Sequence, residues 1–565
     1  MTVALILADQ ADAGLRGQLT ALGVRRVDVT DRAGPALRSV AAAAQVAGER
    51  VLICAGDGTV PEEILARLLR AGGTAAFTRT GAGALVVDSQ DLEALAGAAA
   101  QALAAPDGIG TLIAELRQRG VRVRVLDAGS DGDGAVARLI VEPVASATAR
   151  WLARRQLTPA ALYGIALGLG LLSAVWFADP STRTRVVGAV MLLGSLAVGR
   201  AGSLLAASET SRERRPEPAV DWLGAASGLL SEFAVYAALA VSADPTGPTG
   251  PTARLAGLDG VYGGHLRNTL VATLGGPGTA GVWRLAVAAM VMLGLRRIAW
   301  LCYEAARSPA SPDPGSVRRI AAQVITLPAG ERYALIGVTV ILAGPRLTFL
   351  VMLAWGTLAV GDLLTRPAPD PPDPPDPSVT TAHRRLTAYR GDGVLAYKLG
   401  GIVRGTLPPL LPVFVTLLVT CVLAALGLAN LPGGLILLPV IVTLFPALGA
   451  RHRHDGRWDW LAPPLLQASE CVFLAALGFS RHVAAPLVFA LVAAVLLRHT
   501  DLAYRARVGL GIPADRFGLG WDGRMLLAGL AAAVGLAPFA YAVLTGYLWL
   551  LFCWDYLTGW LEAAG

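Results

Sequence analysis

The chain has 565 residues, of which 54% are hydrophobic and only 16% charged, and its mean hydropathy is +0.55. In soluble domains roughly a quarter of the residues are charged. This composition therefore excludes a purely soluble protein, a disordered chain and a disulfide scaffold. Residues 1–145 contain 17 acidic and 14 basic residues, a net charge of −3, whereas the other 420 contain 24 acidic and 34 basic residues, a net charge of +10.

The first 145 residues alternate short β-rich runs with helical stretches. The predicted strands are 3–8, 26–29, 50–54, 75–80 and 83–87, and the predicted helices are 14–22, 36–47, 61–70 and 92–104. Alternation of this kind predicts an α/β domain with a mainly parallel sheet. A ligand of such a sheet lies beyond the carboxyl ends of the strands, here near Asp9 and the Ala55-Gly-Asp-Gly58 turn.

Twelve apolar stretches follow, which predicts an all-α polytopic membrane domain. They are 157–178, 184–206, 221–243, 281–304, 331–344, 346–366, 406–428, 431–449, 459–480, 484–499, 523–536 and 538–558. Some are shorter than the ~20 residues that cross a bilayer, so these segments require tilt, local thinning or extension into their flanks.

The distribution of arginine predicts the orientation of these spans. The segment before the first span and the loops after every second span, with their flanks, hold 26 of the 34 basic residues. Cytoplasmic loops are enriched in Arg and Lys, so we expect a multi-pass inner-membrane protein whose N-terminal domain and both termini are cytoplasmic. The proline-rich tract 367–377 predicts a semi-rigid cytoplasmic linker over 367–400.

The two groups of six spans are related in sequence. The segment 221–242 is identical to 459–480 at nine of 22 positions, including the Trp and Glu of each copy. Further matches in the same order are Arg332, Leu335, Gly337, Pro345 and Asp362 with Arg524, Leu527, Gly529, Pro538 and Asp555, and Arg296-Arg297 with Arg498-His499. This pattern predicts two tandem six-helix repeats in parallel orientation.

Three segments of the first copy carry a family resemblance. Arg154-Arg-Gln-Leu-Thr-Pro159, the region from Asp221-Trp-Leu223 to Ala238, and Leu327-Pro-Ala-Gly-Glu-Arg332 resemble the CDP-alcohol phosphatidyltransferases over residues 146–366. The resemblance implies a six-helix membrane enzyme that moves a phospho-alcohol from a CDP-linked donor at the cytoplasmic face. Residues 1–145 resemble a nucleotidyltransferase-type domain, and residues 401–565 are similar to an uncharacterised module appended in GC-rich bacteria.

The catalytic motif of that family, DGxxARx8GxxxDxxxD, is missing. Its positions fall on Ala206, Ala207, Thr210, Ser211, Val220, Gly224 and Gly228 in the first copy, and three of its aspartates fall on Leu444, Ala462 and Leu466 in the second. Those aspartates hold the divalent metals that neutralise the pyrophosphate, so neither copy is expected to bind them. The first domain also lacks the phosphate loop of its family, and Asp57 stands where a metal-binding aspartate is kept, although Gly-Asp-Gly turns also form for conformational reasons.

The remaining polar residues concentrate on the cytoplasmic side of the second copy. Two interpretations are open. In the first, these groups hold a lipid phosphate or a nucleotide diphosphate and supply an acid and a base. The phosphate-binding candidates are Arg451, Arg457, Arg498, Arg505 and Arg524, and the acid and base candidates are His454, Asp455, His499 and Asp501. In the second interpretation, which we favour, they are topological arginines paired by nearby aspartates.

Glu232 and Glu470 lie ten residues after the tryptophans of their copies, which places both near the middle of the bilayer, about 15 Å from the span start. An intramembrane carboxylate must face the bundle interior. A glutamate at this place in both copies favours a polar clamp between helices. The alternative is that the glutamates line a path for protons or substrate.

These observations predict a degenerate relative of the phosphatidyltransferases that acts in phospholipid or cell-envelope lipid metabolism. Its expected partners are membrane lipids, a CDP-linked or nucleotide ligand, and a second copy or an active paralogue, with no nucleic acid. The alternatives are a phospho-alcohol transferase that uses the C-terminal Asp, His and Arg groups, and a transporter. No metal site is predicted, and Mg²⁺ or Mn²⁺ is expected only for the transferase.

Overall fold

The structure is a computed structural model that divides the chain into two compact units, one containing residues 1–133 with 205–216 and 309–314, and one containing 134–204, 217–308 and 315–565. It describes residues 2–7, 19, 24, 26–30, 33–55, 65, 68–69, 74–79, 82–96, 112–113, 115–116, 119, 121, 123–125, 136–153, 155, 157–209, 218–243, 279–306, 327–366, 377–403, 408–426, 441, 444–450, 452, 456–508 and 518–564.

A six-stranded sheet forms the first unit. Its strands are β1 (Thr2–Leu7), β2 (Arg26–Thr30), β3 (Arg50–Ala55), β4 (Ala75–Arg79), β5 (Ala82–Val87) and β6 (Arg124–Val125), in the order β2-β1-β3-β5-β4-β6. Among the described residues the sheet is mixed, with three parallel and two antiparallel strand pairs. The short connection between β4 and β5 reverses the chain, so β5 is antiparallel to both β4 and β3, whereas the other pairs are parallel.

Strand β3 lies at the centre of this unit. Val51, Leu52, Ile53 and Cys54 are all buried. Because successive side chains of a strand point to opposite faces, burial of all four means that both faces of the sheet are covered. Helix α1 (Ala33–Ala47) contributes Ala41 and Ala44 to one side of the core. The predicted ligand region at Asp9 and Asp57 lies outside the described residues.

The second unit is helical. Its helices are α2 (Glu142–Ala153), α3 (Pro159–Phe177), α4 (Thr182–Glu209), α5 (Pro218–Val241), α6 (Thr279–Ala306), α7 (Ala329–Ala343), α8 (Pro345–Thr365), α9 (Pro377–Arg390), α10 (Val394–Val403), α11 (Leu410–Leu426), α12 (Ala462–Ser480), α13 (Ala485–Val508), α14 (Gly520–Ala533) and α15 (Ala537–Ala564). One apolar core joins residues from α3 to α15, so the two halves of the unit pack on each other.

Eight segments of the described chain are long and apolar enough to cross a membrane. They are 159–177, 182–206, 222–241, 281–306, 345–365, 459–480, 485–506 and 537–558. The chain therefore has a mostly helical, membrane-compatible domain after a small sheet. Helices α7 and α14 coincide with two further predicted spans but have only 15 and 14 residues. The predicted span 431–449 lies largely outside the described residues, and the count of twelve stays a prediction.

The linker expected over 367–400 is not unstructured throughout. Helix α9 begins at Pro377 and α10 at Val394, and both contribute buried side chains, among them Tyr389 and Ala396. Pro377 occupies the first position of α9, where a missing N–H costs no helical hydrogen bond. The predicted linker therefore extends too far toward the C-terminus, and the proline-rich residues 367–376 lie outside the described part of the chain.

Cys54 provides a test of the buried sheet. Burial raises the pKa of its thiol to about 12. The thiolate is the reactive form, so only ~10⁻⁴ of this thiol is ionised at pH 8. We expect Cys54 in the folded protein to resist N-ethylmaleimide at pH 8 and to react within minutes in urea, as measured by peptide mass spectrometry. Rapid labelling of the folded protein would contradict the placement of β3 in the core.

Candidate functional site

Helix α13 carries polar side chains on two of its faces near its C-terminal end. Arg498, Asp501 and Arg505 are spaced three and four residues apart and so share one face. His499 follows Arg498 directly and therefore points about 100° away around the helix axis. The side chains on these two faces belong to two different clusters.

The first of these, the Asp501 cluster, consists of Arg498, Asp501, Arg505 and Asp555. Asp501 accepts hydrogen bonds on both oxygens, from Arg498 Nη1 at 3.0 Å and from Arg505 Nε at 2.8 Å. Arg498 Nη1 also donates to Asp555 Oδ2 of α15 at 3.1 Å. Two cations and two carboxylates make the cluster neutral, and the Asp501 side chain is 2% exposed.

The second cluster is centred on Glu470 of α12. Arg524 Nε donates to Glu470 Oε1 at 2.6 Å and Arg524 Nη2 donates to Oε2 at 3.1 Å, which makes the pair bidentate. His499 Nε2 lies 2.7 Å from Glu470 Oε2. All three side chains are buried. Two parallel charge-assisted hydrogen bonds offset the desolvation of both charges only when the geometry is good, as it is here.

The first half of the unit contains the same kind of pair. Arg332 Nε donates to Glu232 Oε1 at 2.5 Å and Arg332 Nη2 to Oε2 at 2.8 Å, while the Tyr236 hydroxyl donates to Oε1 at 2.7 Å. Glu232 and Arg332 are the residues that the sequence match equates with Glu470 and Arg524. Each of the two glutamates is therefore paired with an arginine, which is the kind of contact that the polar-clamp interpretation requires.

A leucine with left-handed backbone lies five residues before each of these arginines. Leu327 has φ 46° and Leu519 has φ 64°. Arg332 Nη1 donates to the carbonyl of Leu327 at 3.1 Å, and Arg524 Nη1 donates to the carbonyl of Gly518 at 2.7 Å. A left-handed leucine costs roughly 1–2 kcal/mol, so the surrounding contacts must hold it there. This feature has a signal in the sequence, because the spacing from Leu to Arg is the same in both halves of the unit.

The Gly520-Trp-Asp-Gly-Arg524 segment has a structural role in this arrangement. The Trp521 indole N–H donates to Asp392 Oδ1 at 2.9 Å. Asp522 accepts hydrogen bonds from the backbone N–H groups of Gly393 and Ala396 at 2.8 and 2.9 Å, which caps the start of α10. The role of this motif in joining α14 to α10 was not apparent from the sequence, because the partners are more than 120 residues apart.

The predicted site residues do not form one site. Arg451, His454 and Asp455 lie outside the described residues, and Arg457 is exposed. Arg498, Asp501 and Arg505 belong to the neutral Asp501 cluster, whereas His499 and Arg524 surround Glu470. The described candidates are divided between these two clusters, because α13 directs Arg498 and His499 to different neighbours, and the phosphate-binding interpretation stays a prediction. In the described part of the chain, no three His, Cys, Asp or Glu side chains are grouped to hold a metal.

Comparison with known proteins gives little functional information. A family model described as a family of unknown function (DUF5941) matches residues 380–564, the C-terminal third of the chain. No curated protein matches the sequence. The matched region includes α10 to α15 and therefore the Asp501 cluster, Glu470 and the capping Asp522.

Removal of one member of the Glu470 pair should be costly. We expect Glu470→Leu to destabilise the protein by about 3–5 kcal/mol, because Arg524 becomes a buried unpaired cation. The double variant Glu470→Leu/Arg524→Met should regain at least half of that loss. Thermal unfolding of the detergent-solubilised protein, followed by the monodisperse fraction on size exclusion, measures both effects.

Glu142 provides the matched control for this measurement. It pairs with Arg200 at 3.3 Å, but its side chain is 41% exposed. Glu142→Gln should change stability by no more than about 0.5 kcal/mol. Equal losses for Glu142→Gln and Glu470→Leu, or no recovery in the double variant, would show that the buried pair is not a stabilising unit.

The cap on α10 predicts a local change in hydrogen exchange. In Asp522→Ala the amides of Gly393 and Ala396 lose their acceptor, so their exchange should accelerate by about tenfold. Asp362→Ala is the control, because Asp362 pairs with Arg366 at the end of α8 and accepts no bond from α10. Unchanged exchange at 393–396 in Asp522→Ala would rule out the cap.

Proposed function

We propose that this chain is a non-catalytic membrane relative of the CDP-alcohol phosphatidyltransferases that acts in phospholipid or cell-envelope lipid metabolism as a lipid- or nucleotide-binding partner of an active enzyme. The observation that carries the proposal is that His499 and Asp501, the acid and base candidates in the described part of the chain, are both buried and bound to other side chains. Both oxygens of Asp501 accept hydrogen bonds from arginine, and His499 lies against Glu470 in the interior. An acceptor hydroxyl must come within hydrogen-bond reach of its base, and these side chains are closed to it.

The proposal includes a duplicated six-helix unit. The packing of helices in the two halves supports it, because α3 with α5, α5 with α6, α6 with α8 and α7 with α8 have counterparts in α11 with α12, α12 with α13, α13 with α15 and α14 with α15. The shared Glu–Arg pairs and the shared left-handed leucines support it independently of overall sequence identity.

Contacts between the halves are reciprocal, as expected for two related copies around a pseudo-twofold axis. Trp222 of α5 and Tyr504 of α13 line one small cavity, and the matching residues Trp460 and Tyr303 pack with ring centroids 5.4 Å apart. Helices α6 and α13, which correspond in the repeat, pack directly on each other. This arrangement supports two related units of six spans, and the proposal of cytoplasmic termini in the inner membrane rests on the distribution of arginine.

The loss of the metal-binding aspartates determines what such a protein can contribute. An enzyme of this class stabilises the developing phosphate charge with metals, and neither copy retains the carboxylates for them. Loss of the metal-binding aspartates does not remove the surfaces that bind lipids or other proteins. We therefore infer that the protein assembles as a homodimer or with an active paralogue. The α/β unit is the proposed nucleotide-binding part.

An activity assay tests the proposal. Purified full-length protein incubated with a CDP-alcohol, an acceptor alcohol and Mg²⁺ or Mn²⁺ should release no CMP above the buffer rate. Release that depends on metal and is abolished by Asp501→Asn or Asp455→Asn would overturn the non-catalytic role in favour of a transferase that uses these groups. Glu142→Gln serves as the control for non-specific effects of losing a carboxylate.

A further inference from the structure

Arg296 differs from the other arginines of the helical unit that line its interior. Arg332, Arg498, Arg505 and Arg524 all pair with carboxylates. Within the described residues, Arg296 makes no hydrogen bond and no ion pair. It lies ten residues before the end of α6, inside a segment apolar enough to span a membrane. An ionised group in such a position faces the bundle or a cavity and marks a functional site by default.

Arg296 lines a cleft between α6, the start of α7, and α8. The lining residues are Ala289, Met292, Leu293, Arg296, Leu327, Arg332, Met352, Gly356 and Ala359. Apart from the two arginines, this lining is apolar. Met292 and Met352 are flexible side chains that adapt to a guest molecule.

The charge of the cleft is positive. Glu232 compensates Arg332 through two hydrogen bonds, so the charge of Arg296 is left over. Desolvation of an uncompensated cation is unfavourable, and an anion bound beside it offsets that cost. The planar guanidinium matches the oxygen geometry of a phosphate.

The aromatic residues of α6 indicate the depth of the cleft. Trp283 and Trp300 are 17 residues apart, about 25 Å along the helix. Tryptophans at this separation are typical of the two interfacial belts of a span. Arg296 lies one turn inside Trp300, and the guanidinium of Arg366 stacks on Trp300 at 4.9 Å. The cleft is therefore at the boundary between headgroups and acyl chains, on the side where α6 ends.

We propose that this cleft binds the phosphate of an anionic glycerophospholipid, with Arg296 as the phosphate ligand and an acyl chain along Met292 and Met352. The apolar lining on the side away from the arginines favours a lipid over free phosphate, which has no apolar part to bury. The assignment rests on the proposed lipid-binding role and specifies its ligand and location. Nothing in the Asp501 cluster competes for this ligand, because its charges are balanced internally.

Native mass spectrometry of the full chain tests this assignment. Detergent-solubilised protein is incubated with equal amounts of phosphatidylglycerol and phosphatidylcholine of the same acyl composition. We expect wild type to retain phosphatidylglycerol about tenfold over phosphatidylcholine, the effect of one charge-assisted contact. Arg296→Gln should reduce that ratio to about one. Ala359→Leu, which fills the cleft without changing charge, should reduce phosphatidylglycerol binding as well.

Arg155→Gln is the matched control, because Arg155 is an exposed arginine before the first span that stacks on Trp151 outside the cleft. It should keep the tenfold ratio. An unchanged ratio in Arg296→Gln, or loss of selectivity in Arg155→Gln as well, would overturn the site. Full displacement of phosphatidylglycerol by millimolar glycerol 3-phosphate would identify a soluble phosphate as the ligand and overturn the lipid assignment.

Two further measurements keep the outcomes separate. Each variant is compared with wild type by size exclusion and thermal unfolding. A selectivity ratio is taken only from monodisperse protein. If Arg296→Gln does not fold, Arg296→Lys is the second variant. Arg296→Lys should retain part of the selectivity, because it keeps the charge but not the planar fork. CMP release by the same wild-type sample would refute the non-catalytic role without changing the lipid ratio.

Discussion

The buried Glu–Arg pair is the constraint on which the helical unit depends. A carboxylate within an apolar helix is tolerated only with a partner at hydrogen-bond distance, and the partner here comes from a helix that starts beside it. Arg332 is the fourth residue of α7 and Arg524 the fifth of α14. Both helices are short, with 15 and 14 residues, and each begins next to the glutamate that its arginine binds. The left-handed leucines before them turn the chain into that position, and the arginine donates to a carbonyl of the same turn.

The same constraint explains why the two halves differ in detail but agree in architecture. In the first half Tyr236 is the third partner of the glutamate, and in the second half His499 is. Each glutamate has a bidentate arginine, while the third partner differs. In the second half, hydrogen bonds of Asp522 and Trp521 join α14 to the start of α10. An arginine that must reach a buried carboxylate is thus held by backbone and side-chain contacts from both directions.

Much of the fold follows from local patterns, and much of the site does not. The strands β1 to β5 and most of the long apolar helices follow from residue periodicity, which depends on nearest neighbours. The sheet is mixed because β5 is antiparallel to β3 and β4. The alternation of strands and helices along the sequence does not predict the direction of an individual strand. The sequence match equated Glu232 with Glu470 and Arg332 with Arg524, yet their pairing joins residues 100 and 54 positions apart. Arg296 entered the sequence match but not the set of site candidates, because arginines near cytoplasmic span ends are expected on topological grounds and only the structure distinguishes paired arginines from unpaired ones.

Internal pairing of charge determines where this protein can still bind an anion. Glu232 and Glu470 lie in segments apolar enough to span a membrane, and each is paired with one of the protein's own arginines. A group already paired in a low-dielectric interior has little free energy to gain from a ligand, whereas an unpaired cation at the headgroup boundary has much to gain. The charged groups of the Asp501 cluster are paired with one another, which agrees with the interpretation of topological arginines paired by nearby aspartates. The proposed lipid site lies instead at Arg296 in the other half, whose side chain has no hydrogen bond or ion pair within the described part of the chain.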